Sequence, residues 1–283
     1  YDRACAVYCR GELLDAVQRL KLFRDSKSFV DMPMKLDPED IMAAFRSLPR
    51  PLLPQTLSDF VAEHFLQPGS DVIPYPLPSP EIVGLNWIEE LNGPAKSWAM
   101  DLIKKWAQLT RKTAPSVSKN PERTSTLHRR HVFVVPGGRF RESYYWDSYW
   151  IVKGLIISGL GSIAKGVVKN LLDDVHKFGF VPNGGRIYYA TRSQPPLLCS
   201  MVREVYESSD DKEFLSSALR TLEIEYSFWM SPANSRVVAI PVPNINGVTV
   251  ELNRYYSKDN TPRPESYRED LNTSEAPHIF REI

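Results

Sequence analysis

Cysteine is scarce in this 283-residue chain: only Cys5, Cys9 and Cys199 occur. They are odd in number. The Cys-x3-Cys pair has no matching Cys or His pair to complete a zinc site, so the expectation is free thiols and no structural metal. Histidine is nearly as sparse. His64, His128, His131, His176 and His278 fit no triad and no metal-ligand spacing. Net charge is almost absent: 35 Lys and Arg against 34 Asp and Glu leave +1, which argues against a general nucleic-acid or polyanion binder. No apolar run reaches about eighteen residues, so no spanning helix is expected. Gly159-Leu160-Gly161 follows a helical pattern and has no third glycine, which rules out a dinucleotide fingerprint. The chain opens on Tyr1, with neither a start methionine nor a basic-then-apolar leader, which implies a fragment or a processed form. Oligomeric state is not readable.

What is present is ordinary globular composition, 42% hydrophobic, 11% aromatic and 24% charged, enough for one large core or two smaller ones. The pattern is mostly helical. Asp37-Pro38 is a helix start, with Ile41, Met42, Phe45 and Leu48 as the apolar face. Leu57, Phe60, Val61, His64 and Phe65 continue in helical period until Pro68-Gly69. A Pro-rich loop over 68–80 precedes a helix pair, 81–91 and 95–109, broken at Asn92-Gly93-Pro94; Trp98, Leu102, Trp106 and Leu109 share one face of the second. Residues 111–130 read as a polar, basic loop, and 131–135 as a short strand. Further helices are expected at 145–158, 163–176, 195–206 and 211–230. One β feature is clear: 236–242 and 248–255 flank Asn246-Gly247, a hairpin turn signal. The tail from 257 is polar, with a short helix at its end. Helix pairs without intervening parallel strands indicate an all-α fold, a toroid or solenoid, and no internal repeat of fixed period favours a simple array.

Four segments carry chemistry. Residues 136–150, Pro-Gly-Gly-Arg-Phe-Arg-Glu-Ser-Tyr-Tyr-Trp-Asp-Ser-Tyr-Trp, crowd six rings among arginines and carboxylates. Rings stack on the apolar faces of sugars while charged forks bond the hydroxyls. Gly137-Gly138 allows a tight turn that brings Arg139 close to a ligand, and Trp146-Asp147 offers a ring beside an acceptor. The alternative is an Arg–Asp pair stapling a loop to a helix. Asn183 before Gly184-Gly185 is a turn signature and weak by itself. Arg192-Ser193-Gln194 precedes Pro195-Pro196 and a helix start whose backbone donors suit oxygen-rich ligands; the alternative is that Ser193 caps the helix. In Arg263-Pro264-Glu265, proline stiffens the backbone between opposite charges, where a plain charge run is usually a solvated face. Polyol recognition is the favoured chemistry. Glycoside hydrolysis uses two carboxylates, and from these residues alone the pair would be Asp147 and Glu265.

The segment Pro136–Tyr149 resembles the trehalase signature, essentially without departures. The resemblance extends to Asp25-Ser-Lys-Ser-Phe-Val-Asp-Met32, the Pro-Asn-Gly loop, Arg-Ser-Gln-Pro-Pro, Arg-Pro-Glu-Ser and the last residues, Ser274 to Ile283, and so spans nearly the whole chain. It implies an (α/α)6 toroid, here about half of one, with the 236–255 hairpin inserted. It implies hydrolysis of α,α-trehalose to two glucose molecules with inversion, without metal or organic cofactor. Carried over by position, Arg139, Trp146, Asp147, Asn183, Arg192, Ser193, Gln194, Arg263, Pro264 and Glu265 match sugar-binding positions. Asp147 and Glu265 then line the pocket and are neither acid nor base. The family's acid lies in a Glu-Ser-Gly-Trp-Asp-like segment, and its base further on. No Gly-Trp-Asp occurs here, so both catalytic carboxylates are expected beyond Ile283, and residues 1–283 read as one partial catalytic domain. The rival expectation is a truncated product that binds sugar without catalysis, or a non-functional gene piece whose exposed helix faces invite aggregation. Asn272-Thr273-Ser274, a glycosylation sequon, leans the reading slightly toward a secreted or cell-surface protein.

Overall fold

The structure is a computed structural model and describes residues 2–77, 85–234, 236–243, 245, 247–257 and 259–274. It is mostly helical. Five helices open the chain: α1 (Asp2–Tyr8), α2 (Glu12–Arg19), α3 (Lys27–Val30), α4 (Pro38–Arg46) and α5 (Pro54–His64). The periodicity holds in α4 and α5, where Ile41, Met42, Phe45, Leu57, Phe60 and Val61 are buried. Asp37 sits at the N-cap of α4 but makes no side-chain cap; its carboxylate instead accepts from Arg123 Nε at 2.7 Å. Cys5 and Cys9 lie one helical turn apart at the end of α1 and are joined by a disulfide. The expectation of free thiols therefore holds for Cys199 alone, which is exposed.

The middle of the chain departs furthest from its pattern. Strand β1 (Val72–Pro74) interrupts the Pro-rich loop, and α6 is short (Asn86–Glu89); residues 78–84, where the pattern starts that helix, lie outside the described residues. Helix α7 (Gly93–Leu109) buries Ala99 and Ile103, leaving Trp98 and Leu102 exposed, so the buried stripe is one residue round from the expected one. The polar stretch 111–130 is not a loop. It holds β2 (Thr110–Thr113), α8 (Pro115–Lys119) and a buried run Thr124–Leu127, where Thr124 and Thr126 donate to the Asp71 carboxylate. Strand β3 (Phe133–Val134) completes a three-stranded antiparallel sheet in the order β1-β2-β3, with Val72 opposite Thr113 and Thr110 opposite Val134.

The second half follows its pattern closely. Helix α9 (Asp147–Ile157) turns into α10 (Gly161–Phe178) through three residues, with Gly159 at φ +74°. Helices α11 (Leu198–Ser209) and α12 (Lys212–Met230) pack on this pair and on each other. The hairpin β4 (Val237–Pro241) and β5 (Thr249–Asn253) pairs Val237 with Asn253 and Pro241 with Thr249; Asn246 of its turn lies outside the described residues. Helix α13 (Tyr267–Ser274) follows a 3-10 turn at Pro264–Ser266. The terminal helix expected in the tail, and the family-like segment that runs to Ile283, lie outside the described residues from position 275 onward.

Two large apolar clusters make up most of the core. One gathers α1–α5 with Tyr144 and Ile187–Tyr189; the other gathers α9–α12 with Val134, Tyr145 and Val181. Adjacent tyrosines thus point into different clusters, and the ring-rich segment 136–150 is the seam between them. Trp146, Trp150 and Ile157 beside and along α9, and Leu219, Ile224 and Tyr226 on α12, remain exposed. No helix among the described residues is long and apolar enough to cross a membrane.

Candidate sugar-binding site

The seam begins with a hard turn. Gly137 and Gly138 adopt φ of +106° and +60°, a region that favours glycine, and a bridge from Gly137 to Phe140 folds the loop back. This throws Arg139 outward, where its guanidinium grips Asp25 with two bonds of 2.7 and 2.6 Å and donates to Glu265 O at 3.2 Å. The pairing holds the Asp25 carboxyl below its usual range. Loop stapling therefore occurs, but through Asp25 and not Asp147.

Downstream, Tyr144 and Tyr145 fix the seam from both sides. The Tyr144 hydroxyl donates to Glu142 and meets Tyr189 Oη at 2.8 Å; Tyr145 donates to Glu225 at 2.8 Å and accepts from Leu198 N at 3.1 Å. The N-terminal donor of α11 expected to face ligand is thereby already used by Tyr145. Trp146 then emerges, 42% exposed, edge-on to Trp150 at 5.2 Å. Asp147 follows in the first turn of α9, where its carboxylate is half-buried with no charged partner among the described residues. Burial pushes its carboxyl up, opposed by its own backbone N–H.

The other three segments converge here. Gln194 Oε1 accepts from Trp146 N at 3.0 Å. Asn183 N donates to Arg192 O at 2.8 Å, and Asn183 O accepts from Tyr145 N at 3.2 Å. Ser193 does not cap α11; its hydroxyl donates to Val181 O at 2.7 Å. Arg192 lies over the Tyr189 ring at 5.2 Å and holds Glu265 with two bonds of 3.0 Å. Pro264 is buried in the 3-10 turn that presents Glu265, while Arg263 forms a fork on Asp270 at 2.9 and 2.6 Å. All ten expected residues thus fall in one connected neighbourhood. They do not share one cavity. Asn183, Arg192 and Ser193 line a cavity of about 210 Å³ against the hairpin, and Arg139 borders an open depression with Asp25 and Ser28. With Arg139, Arg192 and Arg263 each matched by a carboxylate, the neighbourhood suits an uncharged, oxygen-rich ligand better than an anion. No group of three or more His, Cys, Asp or Glu side chains that could hold a metal ion occurs among the described residues.

Gly184 and Gly185 serve differently from a turn signature. Neither has positive φ. A Cβ on Gly184 would meet the Tyr189 ring at 2.9 Å, and one on Gly185 the Ser143 hydroxyl at 2.9 Å. Gly184→Ala is expected to cost about 1–3 kcal/mol by overpacking, lowering Tm by several degrees in a thermal melt. An unchanged Tm would show that Tyr189 yields freely.

Sequence reasoning missed the charges beneath the site. Arg186, fully buried, contacts Asp31 at 3.1 Å and Asp71 and Glu142 at 3.2 Å each. Lys27 bridges Asp31 and Glu142 at 2.6 and 2.8 Å, and Arg141 reaches Asp31 at 3.0 Å. Three cations meet three carboxylates, with Tyr188, Ser125 and Thr126 filling the remaining valences. Only the i, i+4 spacing of Lys27 and Asp31 could have signalled any of this.

The chain is similar to known proteins over most of its length. The chain is 40% identical to the trehalase of Homo sapiens over 270 residues, covering 94% of this chain and 45% of that one. It is 42% identical over 276 residues to the trehalase of Apis mellifera, covering 95% and 43%. A neutral trehalase structure from Saccharomyces cerevisiae aligns at 28% identity with a TM-score of 0.44, over 54% of this chain and 27% of that one. The chain spans about half the length of the curated relatives it matches. The trehalase family model matches residues 21–282, and the chain belongs to the trehalase family.

Proposed function

We propose that this chain supplies the sugar-holding part of a trehalase site, and that the complete protein hydrolyses α,α-trehalose to two glucose molecules with inversion. The carrying observation is Asp147: a half-buried carboxylate set in the chain between the paired rings of Trp146 and Trp150, with no cation against it among the described residues, while Arg139, Arg192 and Arg263 each hold another carboxylate. A carboxylate so placed accepts sugar hydroxyls. Inversion needs an acid on the leaving oxygen and a base for water on the opposite face. Glu265 has both carboxylate oxygens occupied by the Arg192 fork. We assign both catalytic carboxylates to sequence beyond Ile283, an assignment supported by the greater length of the relatives.

The test is calorimetric titration of glucose and trehalose into the 283-residue chain, alongside an assay for glucose release. Binding without release above a heat-killed control is expected. Release would overturn the assignment of the catalytic groups, and absence of binding would overturn the site. Affinity should rise with pH. Hydroxyls donate to the ionised carboxylate, so binding expels a proton from Asp147 and strengthens as pH climbs through its raised pKa. Its effect on folding has the opposite sign: the folded chain retains a proton that the unfolded chain releases, so that stability is present below the unfolded pKa and lost as pH rises through the folded one. Asp147→Asn should weaken binding about tenfold or more, near 1.4 kcal/mol, and flatten the pH dependence.

A further inference from the structure

Two buried side-chain polar atoms among the described residues have no hydrogen-bond partner, Trp229 Nε1 and Arg236 Nε. Both residues line the same cavity, the space of about 210 Å³ that Asn183, Arg192 and Ser193 also line. Buried polar atoms are nearly always satisfied, so two orphans at one cavity call for an occupant. Trp229 Nε1 lies near the Glu225 carboxylate but without hydrogen-bond geometry to it.

Arg236 is 7% exposed and has no carboxylate partner among the described residues. It stands just before β4, where its carbonyl accepts from Arg254 N at 2.8 Å. Its guanidinium lies over the rings of Phe228 and Trp229 at 4.3 and 5.4 Å, and donates to Asn234 O at 3.2 Å. Ring contacts compensate part of the burial, and the unused donors remain. Tyr255, edge-on to Trp229 at 5.8 Å, closes the hairpin side. The cavity is thus lined both by residues of the sugar-site loops and by rings around a guanidinium with spare donors.

We propose that Arg236, Trp229 and Tyr255 form a hairpin-borne wall of the sugar site, in which Arg236 donates to ligand hydroxyls and the two rings flank the sugar's apolar face. The proposal rests on the sugar-site reading above. It extends that site to α12 and the β4–β5 hairpin, which the four motif segments do not include. It also gives the hairpin a role: a two-stranded ribbon has little stability of its own and gains a reason to be held where it is.

The test is titration of trehalose and glucose into the intact chain and into Arg236→Met and Arg236→Lys, with thermal melts of each. Methionine keeps the stem that packs on Phe228 and removes the donors; lysine keeps a donor. Arg236→Met should raise Kd tenfold or more with Tm within a few degrees of the parent, and Arg236→Lys should recover part of the affinity. A parent chain that binds no sugar overturns the site and this wall with it. Binding that is lost in Asp147→Asn yet unchanged in Arg236→Met overturns this wall alone. A Tm drop in Arg236→Met with unchanged Kd shows a packing residue, and also overturns it.

Discussion

Replacing Arg186 with leucine is expected to leave the chain without a cooperative unfolding transition. The guanidinium is wholly buried and faces three carboxylates, Asp31, Asp71 and Glu142. Removing it leaves Asp31 and Glu142 with Lys27 and Arg141 as their cations, and Asp71 with none among the described residues. Loss of one partner from a single buried pair costs about 3–5 kcal/mol, against a total stability of about 5–15 kcal/mol. Here one substitution strands several pairs at once. Leucine brings no donor, so nothing offsets the desolvated charge. A thermal scan with near-ultraviolet circular dichroism should show either no transition or a Tm lower by on the order of 10 °C or more. A melt within about 3 °C of the parent would mean that water or a neighbour replaces the guanidinium, contrary to a closed network. Arg186→Lys should fall between, because a single ammonium cannot serve three carboxylates at the angles a planar fork reaches.

Arg192→Ala is expected to lower kcat/KM of a complete enzyme carrying this segment at least tenfold, or about 1.4 kcal/mol. Arg192 does two things in the structure: it forks Glu265 and it lies over Tyr189 toward the sugar cavity. These roles separate in a double-mutant cycle with Glu265→Gln. If Arg192 only satisfies Glu265, neutralising the glutamate restores the loss. If Arg192 also bonds substrate, activity stays depressed in the double variant while Tm recovers. The second outcome is expected, and full rescue would remove Arg192 from the substrate's contacts.

The ring-rich segment marks its own site because its composition fits no ordinary core. Ten residues in four segments can be named from the chain, and they meet through Gln194 on Trp146, Asn183 on Arg192 and Arg139 on Glu265. What stays hidden in the sequence is each residue's partner. Asp25 is just a turn carboxylate until the fold sets it against Arg139. Asp71 sits in a Pro-rich stretch with nothing to mark it, yet Thr126 and Arg186 converge on it. Such networks join residues more than a hundred positions apart, as Arg186 and Asp71 are, and leave no local period. Helix α7 departs for a different reason: Trp98 carries far more apolar surface than Ala99, yet the small residue is the one that is buried. Arg236 carries no signal at all, being one more arginine at the edge of a hairpin.

Tyr144 and Tyr145 are consecutive, yet each is anchored in a different apolar cluster, and Trp146 and Asp147 follow directly. The site is therefore a strain gauge for the two cores. A slip of one cluster past the other, too small to unwind any helix, would still drag Asp147 away from Arg192, Gln194 and the rest of its constellation. In a denaturant series, affinity for sugar should fade before far-ultraviolet ellipticity does. The loss of ligand would then measure undocking of the cores and not their melting.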